Sequence, residues 1–428
     1  MLMRQVSVAT LLLLSEIVLR AQTLTLPVLP GETVVRARET DRSTFSIGLR
    51  MSEEFDDNTL SNNLDKQASA ITLFEPHIGW TLANSRAQWM LDYRPGLSKS
   101  YPISIYDSRS QLFDTSLQLK PAKRLRLRLR ESFLSSKNIF DQLQQSELTS
   151  GSSVLDRPNN PVLAASRETN QQAGADVTYT LTPRTAIGAS GAFYAVTYKS
   201  AVDAQELGNA TSIGTHGFLS HRSSKHNLIG LNYNLQNLIT QHGRSRALVH
   251  GILYTDALVI RPDMSFSFFV GPQRSVLTGA PAASSVEFAP ARPADWSWSG
   301  GANYIWSGTR TSLSAGMSRR ISDGAGVQGI VQLSSATAEV RRQLTKQWKG
   351  QLLVSADRNK PLGVDSTALS YVSFAGGLSR ALSPRLSLEF QYWRIHQTAS
   401  AAKATSFLAD HNRVSMSIAY DFEGPIQQ

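Results

Sequence analysis

The stretch PAKRLRLRLRES, Pro121–Ser132, alternates arginine and leucine from Arg124 to Arg130. A helix turns about 100° per residue, so residues two apart point about 200° apart and Leu125, Leu127 and Leu129 would scatter around it. A strand has period two and gathers the leucines on one face and Arg124, Arg126, Arg128 and Arg130 on the other. The stretch therefore predicts a strand with one apolar and one strongly basic face.

The same alternation recurs along the chain. Phe45, Ile47, Leu49 and Met51 interleave with Ser46, Gly48 and Arg50. Trp89, Leu91 and Tyr93 do so near the first quarter, and Ile229, Leu231, Tyr233 and Leu235 near the middle. Trp296 to Trp306 and Val414 to Phe422 repeat it towards the end. No segment sustains a helical period, so the fold class is all-β.

Connections alternate in length. Short turns are expected at Asn84-Ser85, Pro121-Ala122-Lys123, Pro183-Arg184, Ser223-Ser224-Lys225, Arg261-Pro262-Asp263, Ser307-Gly308, Thr345-Lys346-Gln347 and Ser383-Pro384, residue types that cannot continue a central strand. Longer polar loops are expected near 52–67, 95–107, 134–173, 199–210, 236–246, 272–294, 320–326, 358–367 and 397–411. Eight hairpins plus a first strand near 44–51 and a last near 412–422 make about 18 strands, with 16 as the alternative. Short turns on one side and long loops on the other is the layout of a closed antiparallel transmembrane β-barrel, short turns facing the periplasm. A soluble sandwich or propeller also alternates. It is disfavoured by the Ser-, Gly- and Arg-rich polar face, by aromatics near strand ends, and by the lack of a blade-length repeat. In a bilayer the sheet must close, because an open edge strands N–H and C=O groups in hydrocarbon.

Bulk properties agree. The 428 residues carry Lys+Arg 43 against Asp+Glu 33, a formal net charge of +10, which suits anionic lipid or small anions. Cysteine is absent, excluding disulfides and thiolate metal sites. Val6–Leu19 is apolar, follows Arg4 and precedes Arg20-Ala21-Gln22, the pattern of a secretory signal peptide over 1–21. The expected organisation is then a periplasmic extension over 22–42, a barrel over 43–422 and a short tail over 423–428.

At WMLDYRPGLSKSY (Trp89–Tyr101) and RLRLRLRESFLSSKN (Arg124–Asn138) the chain resembles a group of predicted outer-membrane β-barrel proteins of Gram-negative soil bacteria, porin-like in style. The closing NRVSMSIAYDFEGPIQQ resembles a terminal strand read by the barrel-insertion machinery, with Tyr420 and Phe422 as its aromatics. The resemblance implies an outer-membrane location and supplies no catalytic residues.

No phosphate loop, zinc motif or paired-carboxylate signature stands out. His216 and His221 fall on opposite strand faces and a turn separates them from His226, so they make no metal site. Gly188-Ala189-Ser190-Gly191 is one residue short of a nucleophile elbow and reads as small lumen residues. Neither catalytic residues nor cofactors are expected, and nucleic acid is set aside because the arginines alternate with leucines.

The leading function is a porin-like channel for passive diffusion of small polar or anionic solutes. The alternatives are a component of polysaccharide export or surface assembly, and a structural surface barrel with a closed lumen. Arg124, Arg126, Arg128 and Arg130 are candidate pore-lining residues. In porins, which the barrel resembles, a long loop enters the lumen at the corresponding place. The loop near 134–173 is therefore expected to present Asp141, Glu147, Asp156 and Glu168 to the arginines as a constriction. Expected partners are outer-membrane lipid and lipopolysaccharide, the barrel-insertion machinery and small solutes, and assembly as a homo-oligomer is left open.

Overall fold

The computed structural model describes residues 43–61, 63–104, 107–138, 167–199, 209–240, 245–278, 295–324, 329–362, 368–399 and 408–425. The eighteen strands are β1 (Thr44–Asp56), β2 (Ser69–Ala83), β3 (Ala87–Tyr101), β4 (Ser108–Ala122), β5 (Leu125–Ser136), β6 (Arg167–Thr182), β7 (Thr185–Lys199), β8 (Ala210–Arg222), β9 (Asn227–Thr240), β10 (Ser245–Arg261), β11 (Met264–Thr278), β12 (Asp295–Ser307), β13 (Thr311–Ser322), β14 (Val331–Gln343), β15 (Trp348–Pro361), β16 (Leu369–Ala381), β17 (Leu386–Ala399) and β18 (Ala409–Pro425). Each strand pairs antiparallel with the next. β18 pairs back with β1 from Thr44↔Pro425 to Asp56↔Arg413, so the sheet closes on itself. Closure leaves no strand edge unpaired, as a bilayer demands.

All eight expected short turns are present, and side chains shape them. Asn84 Oδ1 accepts from the backbone N–H groups of Arg86 (2.9 Å) and Ala87 (2.7 Å). Thr345 Oγ1 does the same for Gln347 (3.2 Å) and Trp348 (3.1 Å), and Ser383 Oγ for Arg385 (3.2 Å) and Leu386 (3.1 Å). These bonds hold the chain out of the ladder just long enough to reverse it.

Which face looks outward is settled by exposure. Along β18, Val414 (55%), Met416 (45%), Ile418 (47%) and Tyr420 (44%) are exposed, whereas Arg413, Ser415 and Ser417 between them are buried. The exposed apolar face runs from strand to strand: Leu119 lies opposite Leu127, which lies opposite Val177, and Leu117 opposite Leu129. Contiguous apolar surface on this scale is incompatible with water and fits hydrocarbon. Near the turns the belt ends in aromatics. Trp80 stacks on Trp89 at 6.4 Å and meets Phe45 edge-on at 6.4 Å. The chain is an outer-membrane-type β-barrel with its polar face inside.

The strands outrun their expected ends on the loop side. β1 continues to Asp56, β3 to Tyr101, β5 to Ser136 and β11 to Thr278, while β6 begins at Arg167 and β18 at Ala409. Beyond the apolar band both faces meet polar surroundings, so the ladder persists after alternation stops. At the other end β18 runs through Pro425, so Glu423, Gly424 and Pro425 pair with Ser46, Phe45 and Thr44 rather than starting a tail. Residues 1–42, which hold the expected signal peptide and extension, lie outside the described residues.

Candidate functional site: the lumen

The arginine row lies where the alternation placed it, with one change. Leu125, Leu127 and Leu129 face outward and Arg126, Arg128 and Arg130 face the lumen. Arg124 does not join them. It sits with Lys123 in the β4–β5 turn, where its carbonyl oxygen accepts from the Thr180 N–H at 2.8 Å. A register shift between Leu119 and Ala122 moves the turn toward the arginines, and a hairpin needs residues outside its ladder.

The acids beside the row come from neighbouring strands. Asp176 of β6 lies opposite Arg128, and its Oδ2 accepts from Arg130 Nη2 at 2.9 Å. Asp114 of β4 lies opposite Ser132, diagonal to Arg130. On the adjoining wall His77 Nε2 bonds Asp92 at 2.9 Å, and Arg94 Nε bonds the same carboxylate at 2.8 Å. On this side of the barrel the lumen wall therefore sets Asp92 and Asp114, with Arg94 on Asp92, beside the guanidinium row of β5.

Of the loop acids, Asp141, Glu147 and Asp156 lie outside the described residues. Glu168 belongs to β6 and is buried. It stands six residues from Gly174, the partner of Arg130, which is about 20 Å along a strand, so it does not face the row. The physical reason is strand extension: β6 begins before the expected loop ends.

The narrowing visible among the described residues lies higher, at the loop end, and comes from two other elements. β13 pairs with β12 only up to Gly300↔Arg319, while Arg320, Ile321 and Ser322 stay paired with Leu333, Gln332 and Val331 of β14, so the end of the β13–β14 pair parts from β12. Ile321 and Ile330 then pack on Leu238, Ala247 and Val249 of β9 and β10. Arg320, Ser322 and Asp323 share a cleft with Tyr194, His216 and Gln236. Gly324 (φ +59°) and Gly329 (φ +75°) allow this inward fold. A Cβ on Gly324 would come within 2.6 Å of the Gly329 carbonyl oxygen. Tyr194 hydrogen-bonds Asn170 and has Asp323 and Glu168 as charged neighbours.

The second element is the start of the β1–β2 connection. Ser61 (φ +52°) is buried, and its Oγ lies 2.9 Å from His411 Nε2. His411 Nδ1 lies 3.2 Å from Asp56 Oδ1. Arg413 bonds Glu54 (3.0 Å) and Asp56 (3.5 Å) and reaches Asn138, beyond β5, at 2.9 Å. The order Ser61–His411–Asp56 matches a charge-relay set, but His411 is 0% exposed and Asp56 is also tied to Arg413. With its imidazole sealed off, the set acts as a latch that holds the connection over the β18–β1 seam.

Sequence reasoning missed this cluster because Asp56 and His411 are 355 residues apart. It also missed Asp176, although the lumen-facing period Gln172, Gly174, Asp176, Thr178 is readable. The histidines fall as expected: His216 faces the lumen and bonds Ser190 Oγ (2.7 Å to Nδ1), while His221 faces outward. Of the small run at 188–191, Gly188 and Ser190 face the lumen and Ala189 and Gly191 face outward. Small size there reflects both walls, not the lumen alone.

No family model matches the chain, and no curated protein matches it. Among solved structures, Pseudomonas aeruginosa OpdQ aligns at TM-score 0.45 and 10% identity, over 89% of this chain and 99% of that one. Pseudomonas aeruginosa OccK2 (OpdF) aligns at 0.44 and 10%, over 89% and 98%. Pseudomonas aeruginosa OpdK, solved with vanillate, aligns at 0.42 and 12%, over 89% and 99%.

Proposed function

We propose that this barrel is a passive channel for small polar solutes with a preference for anions, and that it has no enzymatic role. The observation that carries the reading is the lumen-facing row Arg126, Arg128 and Arg130 on a wall whose opposite face is lipid-compatible leucine. Fixed guanidinium groups in a confined water column lower the energy of an anion and orient its carboxylate or phosphate. Asp176 tempers the row without cancelling it, since at the height of the row β5 and β6 set this one lumen-facing carboxylate beside Arg126, Arg128 and Arg130. An 18-stranded barrel is of a size that leaves an aqueous lumen. In the cell the barrel would sit in outer-membrane lipid and lipopolysaccharide, placed there by the barrel-insertion machinery. Asp141, Glu147 and Asp156 remain candidate counter-charges on the solute path.

The test is planar-bilayer recording of the refolded barrel under a salt gradient. Wild type should conduct and reverse on the anion side. Arg126→Ser with Arg128→Ser should move the reversal potential toward cations. Unchanged selectivity in a conducting variant would remove the arginines from the solute path.

A second reading, a closed barrel, is favoured by packing at the loop end. Val196, Leu238, Ile395 and His411 all point inward with 0% exposure. Absence of any conductance in correctly folded protein would select it.

A further inference from the structure

The outer wall of β3–β6 changes chemistry along its height. From the turn end upward, β4 turns outward Leu119, Leu117, Thr115, Phe113, Gln111 and Arg109. β5 and β6 follow a similar order, with leucine and valine below, Glu131 level with Thr115, Phe133 beside Gln171 above it, then Ser135 and Thr169, and Arg167 at the top. Arg109 is ten residues above Leu119. At about 3.3 Å per residue and a strand tilt near 40°, that is roughly 25 Å along the membrane normal, the height of an outer-membrane apolar band. The cations therefore stand at the headgroup level of the loop-side leaflet.

Lys99, Arg109 and Arg167 lie in one open groove with Leu97, Gln111 and Phe133. Arg167 reaches over the end of β5, and its Nη1 donates to the Arg109 carbonyl oxygen at 2.8 Å, which brings cations from three strands together. Two acids belong to this wall. Asp107 pairs with Lys99 and accepts from the Ser100 N–H at 3.0 Å. The hydrogen bond from Lys99, with that from Ser100, holds the Asp107 carboxyl below the usual carboxylate range, so it is ionised and offsets one cation. Glu131 lies lower, four residues before Ser135, where it accepts from Gln171 Nε2 at 3.4 Å. At the groove itself three cations against one carboxylate leave 3 − 1 = +2.

We infer that this groove is a binding site for a phosphorylated, multiply acylated glycolipid of the outer leaflet, of the lipid A type. Its phosphates pair with Lys99, Arg109 and Arg167. Its sugars meet Gln111, Ser135 and Thr169, and its acyl chains descend over Phe133, Phe113 and the leucine belt. A zwitterionic phospholipid offers a single phosphate, neutralised by its own ammonium, and no sugar for the polar step. The inference rests on the outer-membrane part of the reading above and not on conduction.

Native mass spectrometry of the refolded barrel in detergent tests it, with three probes: bisphosphorylated lipid A, the same lipid dephosphorylated, and phosphatidylethanolamine. Wild type should retain the first and neither of the others. Arg109→Ser with Arg167→Ser should weaken retention by about 30-fold, as expected for two cations removed from a lipid surface. Arg109→Lys with Arg167→Lys should keep most of it and guards against misfolding, as does an unchanged heat-modifiability shift on a gel. Equal retention of phosphorylated and dephosphorylated lipid, retention unchanged in the serine variant, or no retention by wild type would each overturn the site. A barrel that retains lipid A yet passes no current overturns only the channel.

Discussion

Leu129→Arg should be among the most damaging single changes available on the outer wall. Leu129 is 49% exposed and faces outward between Leu117 and Ala175. It lies five positions above the turn residue Arg124 and six below Ser135, near the middle of the outward run of β5. A guanidinium at that depth costs roughly 2–4 kcal/mol, falling toward zero at the interfaces. Converted at about 1.36 kcal/mol per tenfold, the folding equilibrium should drop by about 30- to 900-fold. The neighbouring change Arg128→Leu is the control, because Arg128 faces the lumen opposite Gln118 and Asp176. It removes a charge without placing anything new in lipid, and should leave the folded fraction close to wild type. Urea titration of folding into phospholipid vesicles, read by heat-modifiability on a gel, measures both. Midpoints that move together, or a Leu129→Arg loss below about 0.5 kcal/mol, would refute the assignment of faces, given the expected cost at midplane.

Three further outcomes follow from the loop-end geometry. Gly324→Val should strain the inward fold at Gly324 and Gly329, since it forces a branched residue to φ +59° beside a carbonyl oxygen; single-channel conductance should rise if that fold narrows the path. His411→Ala should remove the imidazole that bridges Ser61 and Asp56, leaving Asp56 to Arg413 and the Asn58 N–H, cost about 1–3 kcal/mol in the same urea titration, and add open-channel noise as the β1–β2 connection loosens. Deletion of 140–165 should raise conductance if the acids Asp141, Glu147 and Asp156 stand on the solute path, and an unchanged conductance would place them elsewhere.

Much of this architecture is local information and was legible in the chain. Period two in "RLRLRLR" is a property of each residue and its neighbours, so strand identity, the two faces and the positions of the eight turns could be read without any partner strand. Counting those turns yields the strand number, because an antiparallel barrel uses one hairpin per pair of strands and closes with an even count. What alternation reports is the bilayer, and it therefore stops where the bilayer stops. The extension of β1 to Asp56 and the start of β6 at Arg167 were hidden for that reason, and with them the position of Glu168 on a strand rather than in a loop.

The tertiary structure alone decided which side chains meet. Asp176 reaches Arg130 only through the β5–β6 register, set by pairing across 46 residues of chain. His411 meets Asp56 because β18 closes on β1, and Ile321 meets Leu238 because the end of the β13–β14 pair parts from β12 and folds inward. Curvature brings these groups together: bending a sheet into a tube makes neighbours of residues hundreds of positions apart, and no periodicity along the chain encodes that distance.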